Sequence, residues 1–187
     1  MNKSHLEYLA SPAWADRLAT ELLPWIERVA DLGDDVLEIG PGPGLTTDIL
    51  RQRAARVTAV EIDDALAGAL AERLRGTNVE VIHGTAADTG LAAGSFSAAT
   101  SFSMLHHVPS AREQDRILAE VYRVLRPGAA LLVTDARDLD ALRERHADDV
   151  FVPLSEDTLV SRLHTAGFTD VEVEIRDTEI RLTARKA

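Results

Sequence analysis

One segment of the chain, VLEIGPGPGLTTDIL at residues 36–50, joins an apolar run directly to alternating glycine and proline. The apolar run has the length of a buried strand. The glycines at positions 40, 42 and 44 let the backbone turn where a Cβ would clash, and let it approach a bound molecule closely. Such a turn after the first strand is typical of open α/β sheets, in which ligands bind beyond the carboxyl ends of the strands.

The rest of the chain alternates apolar segments rich in β-formers with helical patterns, which predicts a mostly parallel sheet covered by helices on both faces. Only a short polar turn around Thr178 separates the last two segments, so the last strand should be antiparallel. We therefore predict an α/β, doubly wound, Rossmann-like sheet of seven strands with an antiparallel last strand. The expected strands are 35–40, 56–62, 78–84, 96–102, 129–135, 171–177 and 179–185.

Several predicted helices have recognisable ends in the sequence. Ser110 begins a capping box, and Pro127–Gly128 should stop the same helix. Ser155 is expected to cap a later helix, which Gly167 should close. Pro24 interrupts the helical pattern ahead of the sheet, so we expect a new helix to start there.

A chain of 187 residues has the length of one well-cored domain, so we expect a single domain over 1–187. Within it, residues 1–33 would form an N-terminal helical segment that is a candidate lid, and 34–187 would form the ligand-binding core. The formal net charge of −11 argues against nucleic acid and anionic membranes as partners. With no cysteine and no secretory signal pattern, a cytoplasmic location is expected.

The glycine turn does not have the spacing of a dinucleotide site. The fingerprint G-x-G-x-x-G would need glycine at position 45, which is Leu45. Pro41 and Pro43 each lack the backbone N–H that a phosphate-binding loop would use. Two carboxylates flank the turn instead, Glu38 in the first strand and Glu61 at the end of the second, where a carboxylate can accept both hydroxyls of a ribose.

With these residues in place, the chain resembles the class I methyltransferases that use S-adenosylmethionine, of the small-molecule, type 11-like kind. VLEIGPGPG resembles their first motif, and AVEID their acidic ribose position. The resemblance covers roughly residues 30 to 185, because three further segments follow in family order: VIHGTAADTGLAAGSFSAATSFSMLHHVP, LAEVYRVLRPGAALLVTD and LHTAGFTDVEVEI.

The resemblance implies a methyltransferase with S-adenosyl-L-methionine as its cofactor. Glu38 and the glycine turn would face the methionyl part, Glu61 would bind the ribose, and Ile62 would pack on the adenine. The full set of cofactor-binding residues implied is Glu38, Gly40, Pro41, Gly42, Gly44, Glu61, Ile62, Thr85, Ala86 and Ser101.

The chain departs from the family pattern at two positions. The family usually has Asp after the glycine of the third strand, whereas this chain has Thr85, with Asp88 three residues later. Recognition of the adenine amino group by a side chain at Thr85 is therefore in doubt. Ser97 also stands where the family usually has Asp, which we interpret as a structural change.

Two adjacent histidines, His106 and His107, follow the fourth strand where a methyl acceptor would approach. Histidine is suited to accept a proton near neutral pH, so these two are the candidate catalytic bases; helix-start hydrogen bonds are the alternative. The remaining histidines, which are His5, His83, His146 and His164, have no metal-ligand spacing. We interpret them as surface or locally satisfied groups and expect no metal site. Tyr8, Trp14 and Trp25 are lid candidates, although tryptophans at helical spacing more often belong to a core.

The first part of the chain, residues 36–67, also resembles the adenine dimethylases that act on ribosomal RNA. Those enzymes carry N-[IL]-P-[YF] after the fourth strand to hold a flipped base, and this chain has SFSMLHH there instead. A small-molecule acceptor with an apolar portion is therefore favoured. Its pocket should be built from the N-terminal helices, residues 103–109 and residues 137–153, with Met104, Leu105, Phe151 and Val152 as its apolar part.

Two other functions are alternatives to methyl transfer. A protein could keep the cofactor site for regulation or interaction without turnover. A nicotinamide-dependent oxidoreductase is the second alternative, and the G-x-G-x-G spacing disfavours it.

Overall fold

A computed structural model describes residues 3–187, so the first two residues of the predicted N-terminal segment lie outside the described part. Seven strands form one sheet in the order β3-β2-β1-β4-β5-β7-β6. The strands are β1 (Asp35–Ile39), β2 (Arg56–Glu61), β3 (Val79–His83), β4 (Phe96–Phe102), β5 (Leu125–Ala136), β6 (Phe168–Ile175) and β7 (Glu179–Lys186).

Eight α-helices surround this sheet in the described part of the chain. They are α1 (Lys3–Leu9), α2 (Pro12–Arg17), α3 (Leu23–Val29), α4 (Leu45–Leu50), α5 (Asp64–Arg73), α6 (Ala111–Val124), α7 (Asp140–Arg145) and α8 (Leu159–Ala166). A π-helical segment, Leu18–Leu22, joins α2 to α3, and a 3-10 turn, Leu105–His107, follows β4. Among residues 3–187, no helix has both the length and the apolar character needed to cross a membrane.

The sheet confirms the predicted doubly wound fold with an antiparallel last strand. β1 pairs in parallel with β2 on one side and with β4 on the other, while β7 is antiparallel to both β5 and β6. Because the chain runs outward from β1 to β3 and then returns to β4, the strand order reverses between β1 and β4. The carboxyl ends of these two strands therefore flank the crevice in which ligands of such sheets bind.

Buried side chains cover both faces of the sheet. On one face, α6 and α8 pack Ile117, Val121 and Leu163 into the larger core cluster. On the other face, the N-terminal helices contribute Trp14 and Trp25, which are only 6% and 4% exposed. The two tryptophans are therefore core residues, the interpretation that their helical spacing favoured.

Two of the predicted helix boundaries were wrong, and a third was off by one residue. β5 begins at Leu125, which pairs with Phe96, so Pro127–Gly128 lies inside the strand and the helix has already ended at Val124. Ser155 does not cap α8; the helix begins at Leu159, and Ser155 contributes only its carbonyl, which accepts from the Leu159 amide. The new helix expected at Pro24 is α3, which begins one residue earlier at Leu23 with Pro24 in its first turn, and the π-helical segment before it continues into α3 without a break.

We predict that Gly44→Ala destabilises the protein by about 1–3 kcal/mol, because Gly44 has φ +86° and L side chains are strained there. An added Cβ would also meet the side chains of Leu70 and Arg73. Gly68→Ala is the matched control, since it lies inside α5 with open space around it and should stabilise by about 0.5–1 kcal/mol. Urea unfolding of both variants measures the difference, and equal changes would contradict the strain at Gly44.

Candidate functional site

The glycine turn lies between the carboxyl end of β1 and the start of α4, and the protein itself uses all of its N–H donors. The amide of Gly40 donates to Val60 O at 2.9 Å, that of Gly42 to Glu61 Oε2 at 3.0 Å and that of Gly44 to Pro41 O at 3.0 Å. Because proline supplies no N–H, no donor of residues 40–44 remains for a phosphate. The turn therefore does not suit a pyrophosphate, as its sequence indicated.

Glu61 lies at the carboxyl end of β2 beside this turn. One carboxylate oxygen accepts from the Gly42 amide, and the other accepts from the Asp63 amide at 3.0 Å. Each oxygen has a second lone pair, so the carboxylate can still accept from two hydroxyls. Glu61 is itself only 5% exposed, but a Cβ on Gly42 would meet nothing within 4 Å, so there is open space next to the Gly42 backbone. This arrangement fits a ribose diol.

The side chains around Glu61 fit the other parts of an adenosyl ligand. Ile62 is 72% exposed, which is unusual for a large apolar side chain and suits the face of an adenine. Thr85 is exposed and its hydroxyl accepts from the Ala87 amide, and Ala86 is half-buried next to it. Ser101 pairs in register with Ile39 at the crevice, and its buried hydroxyl has no hydrogen-bond partner among the described residues.

Glu38 has a different environment from Glu61. Its side chain is buried in β1, and the hydroxyls of Thr46 and Thr47 donate to its two carboxylate oxygens, the second at 2.6 Å. Glu38 thus ties the start of α4 to the first strand. Burial raises the pKa of the Glu38 carboxyl to about 7, while the two threonine hydroxyls oppose the rise. Contact between Glu38 and a methionyl group stays a prediction.

A cavity of about 530 Å³ lies beyond the carboxyl ends of β4 and β5. Its walls come from the N-terminal helices, the end of β4 and the start of its turn, the end of β5, the segment around α7 and the β6–β7 turn. The lining residues are His5, Tyr8, Leu9, Trp14, Arg17, Ser103, His106, Asp135, Ala136, Leu142, Arg145, His146, Thr178 and Glu179.

The N-terminal helices, residues 103–109 and residues 137–153 all line the cavity, as expected from the sequence, but they do so through other side chains than those predicted. Met104, Leu105, Phe151 and Val152 do not line it. Leu105 points into the core, where it is only 1% exposed. The apolar wall comes instead from Leu142 in α7 and from the N-terminal helices, where the lid candidates Tyr8 and Trp14 do line the cavity.

Two cavity residues at the carboxyl ends of the strands were not predicted from the sequence. Ser103 has φ +54°, an uncommon value for a residue other than glycine, and it occurs where β4 ends. Asp135, near the end of β5, is buried and accepts from the amides of Leu105 and Ala136 at 2.8 and 2.7 Å. Its carboxylate also contacts Nδ1 of His106 at 2.5 Å, so Asp135 fixes the orientation of that ring.

Four histidines form a cluster, which we call the histidine cluster, and three of them lie in the cavity wall. Its members are His5, His106, His107 and His146, whose ligand nitrogens all lie within 4.8 Å of one another. His5 and His146, interpreted from the sequence as surface or locally satisfied groups, are instead members of this cluster, although Nδ1 of His146 is also bound locally, 2.7 Å from the carbonyl oxygen of Leu142. The tertiary fold brings together α1, the turn after β4 and the end of α7, which no local spacing could show.

The two predicted bases differ in their surroundings. His106 lines the cavity, whereas His107 does not. Burial, with a further contribution from neighbouring His106, lowers the pKa of His107 to about 3; burial likewise lowers that of His5 to about 4. An imidazole with so low a pKa is a weak base, so His107 is poorly suited to general-base work near neutral pH.

Comparison with known proteins points to one family. Residues 37–133 match a family model described as a methyltransferase domain. A probable S-adenosylmethionine-dependent methyltransferase of Mycolicibacterium smegmatis is 31% identical over 151 residues, which cover 78% of this chain and 54% of that protein. A protein of Pyrococcus horikoshii with a solved structure has a TM-score of 0.79 at 19% identity, covering 95% of this chain and 92% of that one.

A second group of similar proteins matches over a shorter length. Ribosomal RNA small subunit methyltransferase A of Deinococcus radiodurans is 52% identical over 61 residues, which are 33% of this chain and 21% of that protein. The chain thus spans about half the length of the first curated relative and about a fifth of the second.

We predict that Glu38→Gln removes a pH dependence of stability that the natural protein shows. The folded-state pKa of about 7 exceeds the ordinary value of 4.5, so the folded protein holds this proton longer than the unfolded chain as pH rises. The free energy of unfolding should fall by up to about 3 kcal/mol between pH 4.5 and pH 8 through this one group. A carboxamide cannot ionise, so the variant should lack that fall.

Urea unfolding of both proteins between pH 5 and pH 8 measures this difference. All other titrating groups are shared, so subtracting the two profiles isolates Glu38. If the unfolding free energies of the two proteins changed with pH in parallel, the Glu38 carboxyl would have its ordinary pKa in the folded protein.

Proposed function

Since this chain belongs to the family of S-adenosylmethionine-dependent methyltransferases, we propose that it transfers a methyl group from that cofactor to a small-molecule acceptor. The observation that carries the choice of acceptor is the 530 Å³ cavity beyond β4 and β5. Its volume falls in the range of about 300–1,000 Å³ that is typical of small-ligand sites. The formal net charge of −11 favours a small molecule over RNA as the acceptor. The lack of cysteine supports a cytoplasmic location.

In this proposal the cofactor binds along the glycine turn, with Glu61 accepting from its ribose and Ile62 against its adenine. Ser101 and the backbone near Gly42 would face its other polar groups. S-adenosylmethionine supplies an electrophilic methyl group. Thr85 and Ala86 would border the adenine edge.

The cavity walls indicate what kind of acceptor would fit. Trp14, Leu9 and Leu142 supply apolar surface. Arg17 is bound by Glu179 at 2.5 Å, and Asp135 is held by two amides, so these three charged groups of the wall are fixed in place. An acceptor with an apolar portion and a few polar groups matches such a wall.

Orientation of the acceptor is the main contribution expected from the chain itself. Holding a nucleophile in line with an electrophile is worth about 7–11 kcal/mol in well-oriented systems. A base is needed only if the acceptor is a hydroxyl, so the function does not depend on His106 or His107 acting as one. Residues 1–33 belong to a single domain with the core in this proposal, and the lid expected from them is limited to α1, because the helices that follow α1 are packed in the second core cluster.

We predict that Glu61→Ala weakens binding of S-adenosylhomocysteine by about 2–4 kcal/mol, because two charge-assisted hydrogen bonds are lost and partly replaced by water. Calorimetry on the natural protein should show micromolar-range binding of this compound and no measurable binding of NAD. Asp64→Asn is the control, since Asp64 lies three residues away with a side chain 91% exposed. Tight binding of NAD with no response to the adenosyl compound would contradict the proposed cofactor site.

We predict that a labelled-methyl transfer assay against fractionated small metabolites gives a product, and that protein-free ribosomal RNA gives none. Trp14→Ala, which removes cavity wall far from Glu61 in sequence, should reduce transfer while leaving S-adenosylhomocysteine affinity within about twofold. Labelled RNA would overturn the small-molecule assignment. Cofactor binding with no transfer to any fraction would favour a binding protein without turnover.

A further inference from the structure

The histidine cluster is assembled from three separate parts of the chain. His5 comes from α1, His106 and His107 from the 3-10 turn after β4, and His146 from the residue that ends α7. Two of the four, His106 and His146, are buried, and the other two are half-buried. Four imidazoles brought together away from water, with their nitrogens within 4.8 Å of one another, have no function in the methyl transfer described above.

Two of the rings are held so that one nitrogen is left facing the cluster. Nδ1 of His106 is bound to Asp135, and its Nε2 is buried without a hydrogen-bond partner. Nδ1 of His146 is 2.7 Å from the carbonyl oxygen of Leu142, to which only an N–H can donate. The neutral ring of His146 then presents the lone pair of Nε2, 3.1 Å from Nδ1 of His5.

His107 completes the set. Neither of its ring nitrogens has a hydrogen-bond partner among the described residues, and both are buried. A buried imidazole without hydrogen bonds costs free energy, because its polar nitrogens have left water. The unpartnered nitrogens of His106 and His107 are therefore what a ligand in the centre of the cluster would satisfy.

The dimensions are close to those of a tetrahedral metal site. Zinc–nitrogen bonds of about 2.0–2.1 Å place the nitrogens of a tetrahedral site about 3.4 Å apart. His146 Nε2 and His5 Nδ1 are already 3.1 Å apart, and the widest separation in the cluster is 4.8 Å. The other pairs of nitrogens, separated by at most 4.8 Å, have to approach by no more than about 1.4 Å to reach the tetrahedral spacing.

Two carboxylates lie behind the imidazoles and balance the charge of a divalent ion. Asp135 contacts His106 Nδ1 at 2.5 Å, and Asp149 Oδ2 lies 3.5 Å from His107 Nδ1. A carboxylate that accepts from the distal nitrogen of a ligand histidine is the usual support of a metal site, since it fixes the ring and makes it a better ligand. Four neutral imidazoles, two carboxylates and one divalent ion sum to zero charge.

We propose that His5, His106, His107 and His146 bind one divalent transition-metal ion, with Zn²⁺ the best match. Imidazole nitrogens favour zinc, copper and nickel, whereas Mg²⁺ and Ca²⁺ require oxygen ligands. Four protein ligands close a tetrahedral zinc site, so the ion is structural and holds α1 and the end of α7 against the turn after β4. The proposal does not depend on methyl transfer.

This assignment replaces the hypothesis that His106 or His107 removes a proton from the acceptor. The lone pair of His106 Nε2 serves the ion, and the same lone pair cannot accept a proton. The turnover of a loaded enzyme should then lack the pH dependence of a free imidazole base.

The test is a titration of the full chain, carrying no histidine tag and freed of metal with a chelator, with Zn²⁺ followed by calorimetry and elemental analysis. One equivalent should bind. His146→Ala and His107→Ala should weaken binding more than 100-fold, and Asp135→Asn about 10–100-fold, the usual cost of losing a carboxylate that supports a ligand. His83→Ala and His164→Ala are the controls, since both histidines are exposed and outside the cluster, and should bind as the natural protein does.

Two further measurements guard against misfolded variants. Each variant is checked by circular dichroism and for S-adenosylhomocysteine binding, whose loss would instead reflect damage to the fold or to the proposed cofactor site. The natural protein is also titrated with Co²⁺, whose visible spectrum should report a tetrahedral site with nitrogen ligands. No stoichiometric binding of Zn²⁺ or Co²⁺, or equal affinity in the cluster variants and the controls, would overturn the proposal.

Discussion

The reversal of strand order between β1 and β4 is the constraint on which the functional features depend. The chain leaves β1 for β2 and β3 and then returns to the other side of β1. The connections that follow β1 and β4 therefore start at the same edge of the sheet and lead away in opposite directions. The glycine turn follows β1, and the turn bearing His106 follows β4. The proposed cofactor site on one side of this crevice and the proposed acceptor cavity on the other are therefore adjacent at the same edge of one sheet.

Much of this fold could be predicted because its information is local. Buried parallel strands are apolar over their whole length, as β1 is, and a short turn between β6 and β7 leaves only an antiparallel arrangement. The start of β5 could not be predicted, because Leu125 joins the strand through its pairing with Phe96, a residue distant in sequence. The prediction that the Ser155 side chain caps α8 was wrong for the same reason. A capping residue can be identified only once the first residue of the helix is known, and tertiary packing determines where the helix begins.

The two halves of the candidate site differ in the same way. Glu61 and the glycine turn have a fixed spacing, since a parallel strand pair sets the distance between the ends of β1 and β2. The histidine cluster joins residues 141 positions apart in sequence, His5 and His146. Metal-ligand spacing rules apply within one helix, turn or hairpin, so they cannot identify a site assembled from three segments. Four of the six histidines gather in one place, which only the tertiary structure shows.

Apolar burial limits which part of the N-terminal segment could move as a lid over the cavity. From Leu9 onward, the N-terminal helices are held by apolar burial, with Trp14, Leu18 and Trp25 packed in the second core cluster. A segment anchored by that much buried surface cannot open without breaking the core. α1 is less deeply buried: among its described side chains, Leu9 joins that cluster, while Tyr8, in the cavity wall, is 43% exposed and lies against Trp14 with ring centroids 5.6 Å apart. A metal ion bound by the histidine cluster would add a further link between α1 and the rest of the cavity wall through His5.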